Sequence, residues 1–236
     1  MYNQKIMNQR LLAGLIRFLN IKRNELRTLT ILTVQSVFFF FFSGALQISV
    51  QAHFLSFYDV TELPRVFALS GGIGIILVTA YFYLRSRVNF LSSSYLILGV
   101  ALLTLVLLRI GLYFNDKHFS YASLAIMGPV IVLVFLIFRD TANHLFIRVQ
   151  GKRLFNFLNS GQIFGIIFIA FLLPLLLEWN FVLLNAFYIA IFSVAMVLII
   201  QLYINRHNKE VLQTQLEQKP AEKFANYYQL FHRKVT

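Results

Sequence analysis

The 236-residue chain has no cysteine, one tryptophan, four prolines and only nine acidic residues. Without cysteine there is no disulfide, no thiolate metal site and no cysteine nucleophile. Charge is the larger shortage: 13% of residues are Asp, Glu, Lys or Arg, against about a quarter in a soluble domain. A chain so poor in charge cannot cover itself in water. What is present instead is apolar: 58% hydrophobic residues, 26 of them phenylalanine, and a mean hydropathy of +0.71. The solvent for most of the chain is therefore expected to be lipid.

Six apolar stretches run roughly over 29–52, 64–84, 91–114, 120–141, 155–177 and 181–204. Each reaches the ~20 residues a helix needs to cross a hydrocarbon core of about 30 Å. In lipid a backbone must satisfy its own hydrogen bonds, which predicts helices. The expected fold is thus an all-α polytopic membrane protein with six transmembrane helices. Residues 1–27 form a basic amphipathic N-terminal segment, 28–204 the transmembrane domain and 205–236 a polar tail or linker. Within the first segment, Leu11, Leu12, Leu15, Ile16 and Leu19 share a helix face while Arg10, Arg17 and Lys22 reach the head groups, as in an interfacial helix. The first apolar stretch is too long for a cleaved leader, and no small-residue cleavage site follows it.

The formal charge of +12 raises the question of nucleic acid, and the placement of the cations answers it. In a six-span arrangement 18 of the 21 basic residues fall on one side: six before the first span, Arg85 and Arg87, then Arg139, Arg148, Lys152 and Arg153, and six in the tail. Arg65 and Lys117 fall on the other side, and Arg109 lies within a span. This is the positive-inside pattern. It predicts both termini in the cytoplasm of a plasma-membrane protein, the inner membrane of a bacterium, with no nucleic-acid partner. The tail ends KFANYYQLFHRKVT, like the approach to a further span.

A few polar residues interrupt the apolar stretches, and polar groups in lipid must face protein or water. Ser36, Ser43, Gln47 and Gln51 are spaced by seven, four and four, on one face of the first span. That face either walls a cavity or hydrogen-bonds to neighbouring helices. Arg109 either snorkels to the interface, pairs with an acid such as Asp59, Glu62, Asp116 or Glu178, or meets an anionic solute. At the basic end of the fourth span, Asp140 and His144 share a face, and Asp140 is expected to pair with Arg85, Arg87 or Arg153, tying helix ends together. Metal binding or proton transfer is the sharper reading of that pair. The other histidines have no metal-ligand spacing, and no cofactor is expected. Gly128-Pro129 and Pro174 each free a backbone carbonyl within a span.

The segment GKRLFNFLNSGQIFGII, 151–167, mixes two chemistries. Lys152 and Arg153 hold a helix mouth at the head groups. Asn156, Asn159 and Gln162 make a polar entrance. Gly161 and Gly165 form GxxxG, which permits close helix packing. SGGIGII at 70–76, with Gly71 and Gly74, matches SGQIFGII at 160–167 after one insertion. The two spans run in opposite directions, as an inverted three-plus-three repeat requires.

NIKRNELRTLTIL at 20–32, DVTELPRVFALSGGIGIILVTAYFYLRSR at 59–87, VQGKRLFNFLNSGQIFG at 149–165 and YYQLFHRKVT at 227–236 occur in the order found in one family. Together they resemble the N-terminal half of the nucleotide (ATP/ADP) translocase-like branch of the major facilitator superfamily. The resemblance implies a twelve-helix carrier of two six-helix halves, with a small-molecule solute bound between them. This chain would be one half; the second would come from the same gene product, another chain or a homodimer. The first span has no Lys and the fourth no acid before Asp140, where nucleotide exchangers carry the charges that hold their substrate. The loop-two motif is reduced to Arg85-Ser86-Arg87.

Ser43, Gln47, Gln51, Arg109, Asn156, Asn159 and Gln162 are therefore the candidate cavity or gate positions. Arg85, Arg87, Arg139, Asp140, Lys152 and Arg153 are the candidate charge network at the helix ends, and Gly71, Gly74, Gly161 and Gly165 the candidate packing positions. No enzyme is expected: Asn159-Ser160-Gly161 is followed by no histidine in the sixth span, as a rhomboid protease would need. A voltage-gated channel would need an arginine ladder and a filter loop, and a mitochondrial-type carrier a repeated Pro-x-Asp/Glu motif. The remaining rival to a carrier is a non-transporting scaffold or sensor that holds partners through its basic loops and tail.

Overall fold

The computed structural model describes residues 23–87, 90–114, 116–145, 164–165, 167–172, 174–175, 178 and 183–207. Long helices dominate: α1 (Arg23–Leu55), α2 (Leu63–Arg87), α3 (Phe90–Tyr113), α4 (Lys117–Leu145) and α5 (Ala186–His207). Short 3-10 turns at Val60–Glu62 and Leu183–Asn185 lead into α2 and α5. The described residues of 164–175 are also helical.

Five helices are long and apolar enough to cross a membrane, each offering an apolar stretch of at least 21 residues, or about 32 Å. Among the described residues the architecture is thus all-α, with long apolar helices of the kind a membrane protein needs. Most of the expected fifth span, 155–177, and the segment before residue 23 lie outside the described residues. α1 runs without a break from Arg23, so the expected boundary at 27/28 falls inside a helix. α5 starts five residues later than the hydropathy predicts, because Leu183–Asn185 forms a 3-10 turn first.

α1 lies at the centre, packed on α4 and α5, while α2 packs on α4, and α3 on both α4 and α5. Phe39, Phe42, Leu46, Leu105, Leu124 and Phe187 are buried between them. With lipid outside, burial gains little hydrophobic free energy, and association rests on packing and hydrogen bonds. The Phe39 ring meets those of Phe40, Phe135 and Phe138 at centroid distances of 4.8, 5.7 and 6.3 Å.

Two glycines bring the 164–172 helix against α1. A methyl group at Gly165 would lie 2.5 Å from Phe40 Cβ, and one at Gly44 would lie 2.5 Å from Ile169 Cγ2. The expectation of close packing at Gly71 and Gly74 is corrected here. Among the described residues, a methyl group at Gly71 would have nothing within 4 Å, and one at Gly74 would meet only Pro129 Cγ, at 3.9 Å. The reason lies in the placement of α2, which is packed on one side only: 17% of its most apolar stretch is buried, against 56% for α1. Gly161 lies outside the described residues.

Candidate functional site

Near the basic helix ends, a chain of side-chain amides and hydroxyls joins four helices. Gln35 Nε2 on α1 donates to Gln201 Oε1 on α5 at 3.0 Å, and Thr141 Oγ1 on α4 lies 3.1 Å from the same oxygen. Gln201 Nε2 donates to Asn205 Oδ1 at 3.1 Å, and Asn205 Nδ2 donates to Ser94 Oγ on α3 at 3.2 Å. All five residues are buried. Sequence reasoning misses them. One signal was available: Gln201 is the sole amide between Ala186 and Ile204 in an otherwise apolar helix, and such a residue in lipid usually bonds to a neighbouring helix.

Gln201→Leu is expected to lower resistance to unfolding in SDS by about 2 kcal/mol. Interhelical bonds in membranes average ~0.6 kcal/mol and reach ~1.7, and here Gln35, Thr141 and Asn205 would lose a partner together. An unchanged unfolding midpoint would remove the network as a structural tie.

The second cluster joins α2 to α4. Arg85 forms an ion pair with Asp140. Tyr81 donates its hydroxyl to the same carboxylate, and Arg85 Nη1 donates to the Tyr81 oxygen at 3.2 Å. Arg85 Nη2 lies 2.7 Å from His144 Nε2. His144 is buried, while Arg85 and Asp140 keep about a fifth of their side-chain surface exposed (21% and 22%). Of the other members of the expected charge network, the two described ones, Arg87 and Arg139, do not join this cluster. Arg87 lies over the Tyr83 ring at 5.7 Å and Arg139 is exposed, while Lys152 and Arg153 fall outside the described residues.

The third feature is a groove of 470 Å³ between α2 and α4, lined by Ser70, Gly71, Gly74, Gly128, Pro129 and Val132 among others. Pro129 supplies no N–H to the Ala125 carbonyl, so α4 is weakened beside the groove. Ser70 faces Gly128 so closely that a methyl group there would lie 2.8 Å from its Oγ.

The expected polar face of α1 divides. Ser36 and Ser43 are buried, Gln51 is half-buried and Gln47 is exposed. Their hydrogen bonds among the described residues stay within α1: Ser36 Oγ donates to Thr33 O at 2.7 Å, and Gln47 Nε2 donates to Ser43 Oγ at 3.0 Å. The interhelical role falls instead to Gln35, one residue away and about 100° around the helix.

Arg109 takes none of the expected partners among the described residues; its guanidinium stands 4.7 Å from the centroid of the Tyr188 ring on α5. A cation on an aromatic face is stabilised by the ring quadrupole, so this side chain ties α3 to α5. Asn156, Asn159 and Gln162 lie outside the described residues.

Among the described residues, no group of three His, Cys, Asp or Glu is placed to hold a metal ion. What the arrangement offers chemically is hydrogen bonding, one clustered ion pair and helix surfaces of small residues. Comparison with protein-family models, curated proteins and solved structures returns no match, so the function is argued from the residues themselves.

Proposed function

We propose that the chain is one six-helix half of a solute carrier working by alternating access, with both termini on the cytoplasmic side of an inner membrane. The packing pattern carries this reading. α1 packs on α5 as α4 packs on α3. α2 packs on α4, and the 164–172 helix packs on α1 through Gly165 and Gly44. The α1–α4 and α3–α5 contacts each map onto themselves, while a small α2–α3 contact falls outside the pattern. Exchanging the first three helices for the last three leaves the other contacts unchanged, which is the relation an inverted three-plus-three repeat produces. The likeness of SGGIGII to SGQIFGII fits the same exchange, since the two segments lie on the second and fifth helices.

In this reading the loose α2–α4 groove, with its proline-weakened helix, is where one element slides against another. The exposed Gln47 faces the solute path, and the amides Asn156, Asn159 and Gln162 are the further candidate solute contacts. A second six-helix half, from the same gene product, another chain or a second copy, completes the path.

Uptake into proteoliposomes, screened over labelled amino acids, sugars and nucleotides, tests this. The expected result is accumulation of one solute class, abolished by Gln47→Leu or Asn159→Leu without loss of membrane insertion. Uptake unchanged in a variant removes that residue from the path. A chain that moves no solute while retaining protein partners through its basic loops is a scaffold instead.

A further inference from the structure

We propose that His144 is a proton-binding site, and that protonation of its ring unlatches α2 from α4. The argument begins with hydrogen count. An arginine N–H has no lone pair, so at 2.7 Å Arg85 Nη2 must donate and His144 Nε2 must accept. The imidazole holding this bond is neutral, with its hydrogen on Nδ1. The same guanidinium bonds Asp140 and Tyr81. One arginine from α2 therefore serves two groups on α4, an acid and a neutral base, and the latch holds while both are available.

A proton on Nε2 removes the acceptor and sets a second cation against the guanidinium, in a residue only 1% exposed. Among the described residues, the anion available to that imidazolium on the same helix is Asp140, four residues earlier, the spacing at which an acid preceding a base pairs best. His144 thus takes over the carboxylate from Arg85. Arg85, two residues before the end of α2, extends its head group toward the aqueous face. An ion pair across two helices is exchanged for one within α4. The sign follows: the latch is closed when His144 is neutral, at higher pH, and opens on acidification.

The other titratable groups at this end leave His144 as the group that changes. Tyr81, from α2, already donates to Asp140. Arg27 of α1 is engaged with Tyr203 of α5 at 2.7 Å. Arg139 on α4 itself, Tyr95 on α3, and Arg206 and His207 on α5 are exposed.

The proposal rests on the carrier reading for its purpose, since it names what would govern the movement of α2 on α4. Its test needs no solute. The chain has no cysteine, so a Phe82→Cys/Asn143→Cys pair, both positions exposed, can carry spin labels on α2 and α4 without background. Inter-label distances are measured in proteoliposomes at about pH 8 and about pH 5.5, on either side of the ordinary histidine titration near ~6.5. The expected result is a short distance at high pH and a longer component at low pH. His144→Gln keeps an oxygen acceptor for Arg85 but cannot titrate, and is expected to stay short at both. An unchanged distance in the parent pair, or a His144→Gln variant that shifts as the parent does, overturns the proposal. Nitrogen-15 spectra of the unsubstituted ring give a check that does not depend on the variant: a His144 ring still carrying one hydrogen at low pH also overturns it. A scaffold that moves no solute but unlatches on acidification would sink the carrier reading and leave this one standing.

Discussion

A single methyl group added at Gly165 is expected to destabilise the chain by about 1–3 kcal/mol, while the same change at Gly71 leaves stability unchanged or raises it. At Gly165 the new carbon would lie 2.5 Å from Phe40 Cβ, 3.3 Å from the Val37 carbonyl oxygen and 3.6 Å from Phe40 Cα. These atoms belong to the α1 backbone or sit directly on it, so no side-chain rotation relieves the clash. The helices must move apart, which forfeits the close contact that small residues provide in lipid. At Gly71 nothing among the described residues lies within 4 Å of the added carbon, and replacing glycine by alanine within a helix gains about 0.5–1 kcal/mol. Gly44→Ala should fall between the two, because its closest neighbour is the Cγ2 tip of Ile169. SDS-unfolding midpoints of the three variants check the order. A Gly165→Ala midpoint equal to that of Gly71→Ala would show that the 164–172 helix does not press on α1.

The contrast between these glycines shows where sequence reasoning stops. Helix existence was legible, because an apolar stretch of about 20 residues in lipid has one stable backbone solution. The five described spans lie where hydropathy puts them. Glycine spacing was legible too, but not whether a partner covers it. That depends on which way a helix turns in the bundle, and in lipid an uncovered face is as apolar as a covered one. The usual signal of amphipathicity is therefore missing, and α2 could not be recognised in advance as the poorly covered helix.

The polar residues show the same limit at finer scale. Ser36, Ser43, Gln47 and Gln51 share one face by spacing, and the bonds of that face stay within its own helix. Gln35 makes the connection to α5. A shift of one residue decides between the two faces, and periodicity in a helix this uniformly apolar does not set it. Charges are easier to read. Arg85 and Asp140 stand out because an ion near the edge of the hydrocarbon needs a counter-ion, and few are available. Arg109 breaks that rule by taking the Tyr188 ring instead. Aromatic partners are hard to foresee in a chain with 26 Phe and 11 Tyr.

Removing both members of the Arg85–Asp140 pair is expected to be less damaging than the two single losses added together. Breaking a fully buried pair costs about 3–5 kcal/mol, because a charge is left without its partner. Here the side chains are 21% and 22% exposed, so water screens part of the loss and about 2–3 kcal/mol is expected for Arg85→Leu or Asp140→Leu. Among the described residues, Arg85→Leu leaves the carboxylate with the Tyr81 hydroxyl and takes the Arg85 donor from His144 Nε2. Asp140→Leu leaves the guanidinium facing His144 and Tyr81, neither of which carries compensating charge while neutral. In Arg85→Leu/Asp140→Leu no ion is stranded, and a leucine pair suits the apolar α2–α4 contact. The double variant should therefore be less destabilised than the sum of the single variants by about 1–3 kcal/mol. Glu62–Arg65 supplies the control: it is an ion pair of 2.8 Å with side chains 34% and 75% exposed, and its removal should change stability by less than about 1 kcal/mol. Additive losses at Arg85 and Asp140 would mean that the two charges are solvated separately. In that case α2 and α4 would be joined at this end by packing alone, with no ion pair for a proton on His144 to displace.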